Sequence, residues 1–128
     1  MGAQYLIGGS LGLVLHEAGH ALVTTLRGLR VRQVGICRRG LFVRRELGSP
    51  LDNMLIAAAG PAVNLLLCLT WHWLPDVALA NAVFAIVYLL PIPNSDGSHI
   101  VPALRAMRRA PLAAPAVPGD GRAVETAA

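Results

Sequence analysis

Residues 4–26 read QYLIGGSLGLVLHEAGHALVTTL, and they contain His16-Glu17-Ala18-Gly19-His20. The stretch is apolar and long enough to cross a bilayer as a helix. Within it lies H-E-x-x-H. Histidines four residues apart share one face of a helix, one above the other. Both imidazoles can then hold a single Zn²⁺, with Glu17 placed to take a proton from the attacking water. An ionisable residue at the centre of a membrane helix costs about 2.5–3.5 kcal/mol on insertion scales. A purely structural span would avoid that cost, so the acid and the two histidines point to function.

Composition agrees with a membrane setting. The chain has 128 residues, which suits one domain, is 55% hydrophobic and only 14% charged, and has a mean hydropathy of +0.56. Every basic residue is arginine, and Ala, Gly and Pro are plentiful, a GC-rich codon signature that points to a bacterial source. The net charge of +4 comes from clustered arginines. They are not interleaved with aromatic stacking platforms, so nucleic acid is not the expected partner. Cys37 and Cys68 match no zinc spacing and read as free thiols. The N-terminus lacks the basic region of a cleavable signal peptide.

Three apolar segments are expected, at Gln4–Leu26, Asn53–Leu74 and Val77–Pro93, the last short for a full span. The predicted fold is therefore an all-α membrane protein with three transmembrane segments over residues 1–109. Residues 110–128, rich in Pro, Ala and Gly, form an expected disordered tail. Between the first two segments, Val31, Val34 and Ile36 and then Leu41, Phe42 and Val43 make two β-prone runs, with Arg39-Gly40 as turn. A small hairpin at the membrane face is the preferred reading, against a solvated basic loop.

Arginine placement sets an expected topology. The 27–52 loop carries seven arginines, the link at Pro75-Asp76 none, and the stretch after the third segment Arg105, Arg108 and Arg109. The positive-inside rule puts the loop and C-terminus in the cytoplasm and the N-terminus outside, in a bacterial cytoplasmic membrane. At 1.5 Å per residue, His20 then lies ~10 Å from the cytoplasmic end of its segment, Asn64 ~16 Å, and Asp96 at most ~14 Å if its link to Arg105 is helical. Polar groups from three segments thus converge at one depth. A catalytic zinc needs three protein ligands and one open position. The metzincin pattern fails, because Val23 and Leu26 stand where Gly and His are required. Glu46 and Glu125 lie outside the segments, which leaves Asp96, followed by Gly97, as the better third ligand.

With these blocks in view the chain resembles the site-2 protease family of intramembrane metallopeptidases, peptidase family M50. The resemblance rests on His16-Glu17-Ala18-Gly19-His20, Ala59-Gly60-Pro61-Ala62-Val63-Asn64 and Leu90-Pro91-Ile92-Pro93-Asn94-Ser95-Asp96-Gly97, in the family's order. It implies one Zn²⁺ on His16, His20 and Asp96, Glu17 as general base and acid, and a transmembrane helix of another protein as substrate. It places Asn64 beside the scissile bond, on substrate or developing oxyanion. Tyr88, Asn94 and Ser95 depart from residues common in the third block. Asn64 has a second reading, as a hydrogen bond between helices. His99 is either a residue of the site or a polar helix start. His72 sits between Trp71 and Trp73 in an aromatic belt, away from any metal. The functional expectation is a zinc endopeptidase acting in or near membrane helices. The alternative is a degenerate homologue that binds a membrane partner. A metal-transport subunit is a third class, which has no need of a base between its ligands.

Overall fold

The computed structural model describes residues 2–37, 40–93 and 95–109; Arg38, Arg39, Asn94 and the 110–128 tail expected to be disordered lie outside the described residues, as does the Cys37 side chain. The chain runs α1 (Gly2–Leu26), β1 (Val31–Cys37), β2 (Gly40–Arg45), α2 (Pro50–Leu67), a 3-10 turn (Cys68–His72), α3 (Pro75–Leu89) and α4 (Gly97–Arg109). It is mostly helical, with the expected small hairpin.

Local chemistry sets the boundaries. α1 stops where Gly28 takes a left-handed φ of +73° and the amides of Gly28 and Leu29 bond back to Thr25 and Thr24. α2 begins at a capping box. The Ser49 hydroxyl accepts from the Asp52 amide, Asp52 returns the bond to the Ser49 amide, and Pro50 fills the first turn. Arg27 reaches Asp52 at 2.6 Å, tying the end of α1 to the start of α2. The strands pair antiparallel, from Val31 opposite Arg45 to Cys37 opposite Gly40, with an irregularity between Val31 and Gln33. α3 ends at Leu90, which turns extended ahead of Pro91.

Two helical stretches are long and apolar enough to cross a membrane, Ala3–Leu26 and Pro50–His72. The expected third segment, Val77–Pro93, forms only the 15-residue helix α3, about 22 Å long. The structure thus offers two helices of spanning length, with the third expected segment as a shorter apolar helix. α4 is a further helix, amphipathic, with Arg108 and Arg109 in its last turn.

The packing is inside-out by the standard of a water-soluble domain. The buried apolar residues are Ile56 and five alanines, whereas Leu6, Ile7, Leu22, Leu26, Leu66 and Trp73 face outward. Within the two long apolar stretches only 28% and 33% of the apolar window is buried. Core helices of soluble proteins bury their apolar surface instead. Contact between helices is made by small residues and buried polar groups. A Cβ at Gly12 would collide with the Asn81 side chain, so the glycine lets α1 and α3 close on each other.

Candidate metal centre

α1 places Gly12, His16, His20 and Thr24 on one buried stripe, each four residues from the next. α2 answers with Ile56, Gly60 and Asn64, again four apart and all buried. The third contribution is Asp96, which sits in the turn before α4. That turn is held by Ser95, whose buried hydroxyl donates to the carbonyls of Leu90 and Ile92 and whose own carbonyl accepts from Ser98. Ser95 therefore fastens the loop. Gly97 is needed as well, since a Cβ there would run into the carbonyls of Leu89 and Leu90.

These elements bring His16, His20 and Asp96 together. His16 Nε2 lies 3.1 Å from His20 Nε2 and 3.1 Å from Asp96 Oδ2, and His20 Nε2 lies 3.3 Å from Asp96 Oδ1. Donor atoms around a tetrahedral zinc with bonds of about 2.0–2.1 Å stand about 3.3–3.4 Å apart. The three close approaches fall at or just under that spacing, the two to Asp96 through different carboxylate oxygens, and one ligand atom from each residue lies within 4.8 Å of the others. Asp96 Oδ2 is buried and meets no donor at a hydrogen-bonding angle, although His16 Nε2 is close by. Gly60 leaves the room. A Cβ there would stand 2.5 Å from His16 Nε2 and closer still to His20 Nε2. Two imidazoles and a carboxylate, converging on a space that a single methyl would fill, fit a divalent metal ion.

The far nitrogens of both rings are also engaged. His20 Nδ1 is 2.6 Å from the Ile56 carbonyl, and His16 Nδ1 is 3.1 Å from Asn64 Nδ2. A metal-bound histidine ordinarily donates its far N–H to an acceptor, as His20 does to the Ile56 carbonyl.

A cavity of about 540 Å³ opens in front of the cluster, lined by His16, Glu17, His20, Tyr88, Asp96 and His99, by Leu41, Phe42, Val43 and Arg45 of β2, and by Leu47, Ile56 and Ala57. Glu17 is half-buried at this cavity, and among the described residues no protein donor holds its carboxylate. His99 lines the same space. Asn64 does not line it and is fully buried. Arg45 is anchored to Asn53 Oδ1 at 2.8 Å and to the Glu46 carbonyl. Burial lowers its pKa, but from so high a value that it stays charged at neutral pH.

Tyr88 was not among the residues expected at the site. Its ring lies 4.3 Å from that of His16, centroid to centroid, and also neighbours Phe84 one turn earlier. The four-residue spacing of Phe84 and Tyr88 carried the signal of a shared face. Cys68 is a free thiol, as expected, and the exposed Trp71 and Trp73 flank His72 far from the cluster in sequence and outside the cavity lining.

No family profile matches the chain. The chain is similar to a protein of Synechocystis sp. strain PCC 6803 named "Putative zinc metalloprotease", with 29% identity over 105 residues, 70% of this chain. The match covers 28% of that protein's length, so the chain corresponds to a minor part of it. At this coarse level the likeness is to a metalloprotease, in accord with a site able to hold a metal.

Proposed function

We propose that the chain is an intramembrane zinc endopeptidase of the site-2 protease type. It would cleave peptide bonds in or near transmembrane helices of other membrane proteins. The observation that supports this best is the His16–His20–Asp96 cluster with Glu17 beside it, held among helices whose large apolar side chains face outward. His16, His20 and Asp96 would hold one zinc per chain. Bound there, zinc would supply Lewis-acid polarisation of the scissile carbonyl and of water. Glu17 takes the proton of the attacking water as the new C–O bond forms, then delivers it to the amide nitrogen as the C–N bond breaks. The substrate helix must unwind locally, because a helical peptide bond is closed off by its own hydrogen bonds. In this reading α3 completes a three-segment membrane core. The arginines of the hairpin and α4 lie at the cytoplasmic face of a bacterial membrane.

Metal content in detergent-purified protein tests the proposal. One zinc per chain is expected, falling sharply in His16→Ala, His20→Ala and Asp96→Ala. Cleavage of a transmembrane substrate should stop with a chelator and return with zinc. Full zinc retention by folded Asp96→Ala at low free metal would refute the ligand set.

A further inference from the structure

Asn64 is fully buried, 0% exposed, and its amide contacts the back of His16, which is itself 1% exposed. We infer that Asn64 is a positioning residue: its side-chain carbonyl accepts the Nδ1 proton of His16 and so fixes the ring in the tautomer that leaves Nε2 free for a metal. This rests on the reading of His16 as a ligand.

A backbone carbonyl can only accept, so the Ile56 carbonyl at 2.6 Å makes His20 Nδ1 the protonated nitrogen. The lone pair of His20 is then on Nε2, the atom that faces the cluster. His16 also turns its Nε2 to the cluster and needs the same tautomer. Its Nδ1–H is buried and requires an acceptor. The group at that position is the Asn64 amide, drawn with its nitrogen 3.1 Å from Nδ1 and its oxygen buried without a partner. An amide turned through 180° occupies the same shape. Turned so, the orphaned oxygen accepts from Nδ1–H. With the nitrogen toward Nδ1, the His16 proton would have to sit on Nε2, where it would block the metal.

α2 thus serves both ligands from one stripe. Ile56 sets His20 with its backbone, Gly60 leaves room for the two Nε2 atoms, and Asn64 sets His16 with its side chain. The same burial removes Asn64 from the cavity lining, where a residue touching the scissile carbonyl would have to be.

The test is zinc affinity, measured by competition with a chelator in full-length protein whose helical circular dichroism matches wild type. Loss of a hydrogen-bond partner behind a ligand typically lowers metal affinity about 10–100-fold. Asn64→Ala and the volume-keeping Asn64→Leu should both show that loss. Asn64→Asp keeps an acceptor and should bind zinc within about threefold of wild type. In ¹⁵N spectra of the metal-free protein, the His16 Nδ1–H tautomer should be retained in Asn64→Asp and lost in Asn64→Leu. Wild-type affinity in Asn64→Leu, or an Asn64→Asp variant as weak as Asn64→Leu, would overturn the inference. A wild-type protein that binds zinc no better than His16→Ala would instead refute the ligand reading beneath it.

Discussion

Gly60→Ala sets two effects of one methyl group against each other. In the interior of a helix alanine is favoured over glycine by about 0.8–1.0 kcal/mol. On propensity alone the substitution should stabilise α2. At the site the same methyl would stand 2.5 Å from His16 Nε2 and 2.7 Å from His16 Cε1, where ordinary contact begins at 3.4 Å. The ring would have to withdraw by about 0.9 Å, the difference between those distances. Zinc–nitrogen bonds of about 2.0–2.1 Å tolerate only about 0.2 Å. His16 cannot yield that far and remain a ligand, and the His20 nitrogen is approached more closely still. The expected result is zinc affinity at least 100-fold weaker, with metal-free thermal stability no higher than wild type, because displacing the buried ring costs at least what the helix propensity returns. Chelator competition and a circular-dichroism melt on one preparation read both quantities. Gly60→Ala protein that binds zinc at wild-type affinity would refute the placement of the metal against α2.

Tyr88→Phe keeps the ring packed on His16 and removes only the hydroxyl, so zinc affinity should change by less than about twofold; a larger loss, read by the same competition, would show that the hydroxyl supports the ligand set. In a background lacking Cys37 and Cys68, a cysteine at the exposed Gln33 should react with an impermeant reagent only after cells are opened, and one at Asp76 in intact cells. The reverse pattern would invert the proposed orientation. Breaking the Arg27–Asp52 pair with Arg27→Ala should lower a denaturation midpoint only slightly, since the Arg27 side chain is 44% exposed. A larger loss would mean that the pair sits in a drier environment than its exposure indicates.

More of the candidate site than of the fold was legible in the sequence. His16, Glu17 and His20 are legible because a helix of fixed pitch stacks residues four apart, so spacing alone sets the geometry. Asp96 was reachable through the expected topology, whose rise per residue sets it level with the histidines, and the structure places its carboxylate within 3.3 Å of both. The parts that escaped are of another kind. The partner of His20 is the carbonyl of Ile56, a group every residue carries and no sequence distinguishes. Gly60 stood in the sequence as a member of the second motif block, and the space it leaves lies between two helices. The third apolar segment runs on to Pro93, but its helix stops at Leu89 because Leu90 turns extended ahead of Pro91. Tyr88 was noted only as a departure from a pattern. Its contact with His16 depends on how α3 is rotated against α1, which local periodicity does not set.

The central claim is that Glu17 carries the chemistry at a metal held by other residues. Glu17→Gln keeps the shape of the side chain and removes the base. Zinc-loaded wild type and Glu17→Gln, reconstituted with a transmembrane substrate, should contain equal zinc. Cleavage by the variant should be lower by at least the ~10²–10⁴-fold typical of a lost general base. Equal rates of cleavage in the two proteins would contradict the account, as would the absence of cleavage by zinc-loaded wild type across diverse membrane substrates.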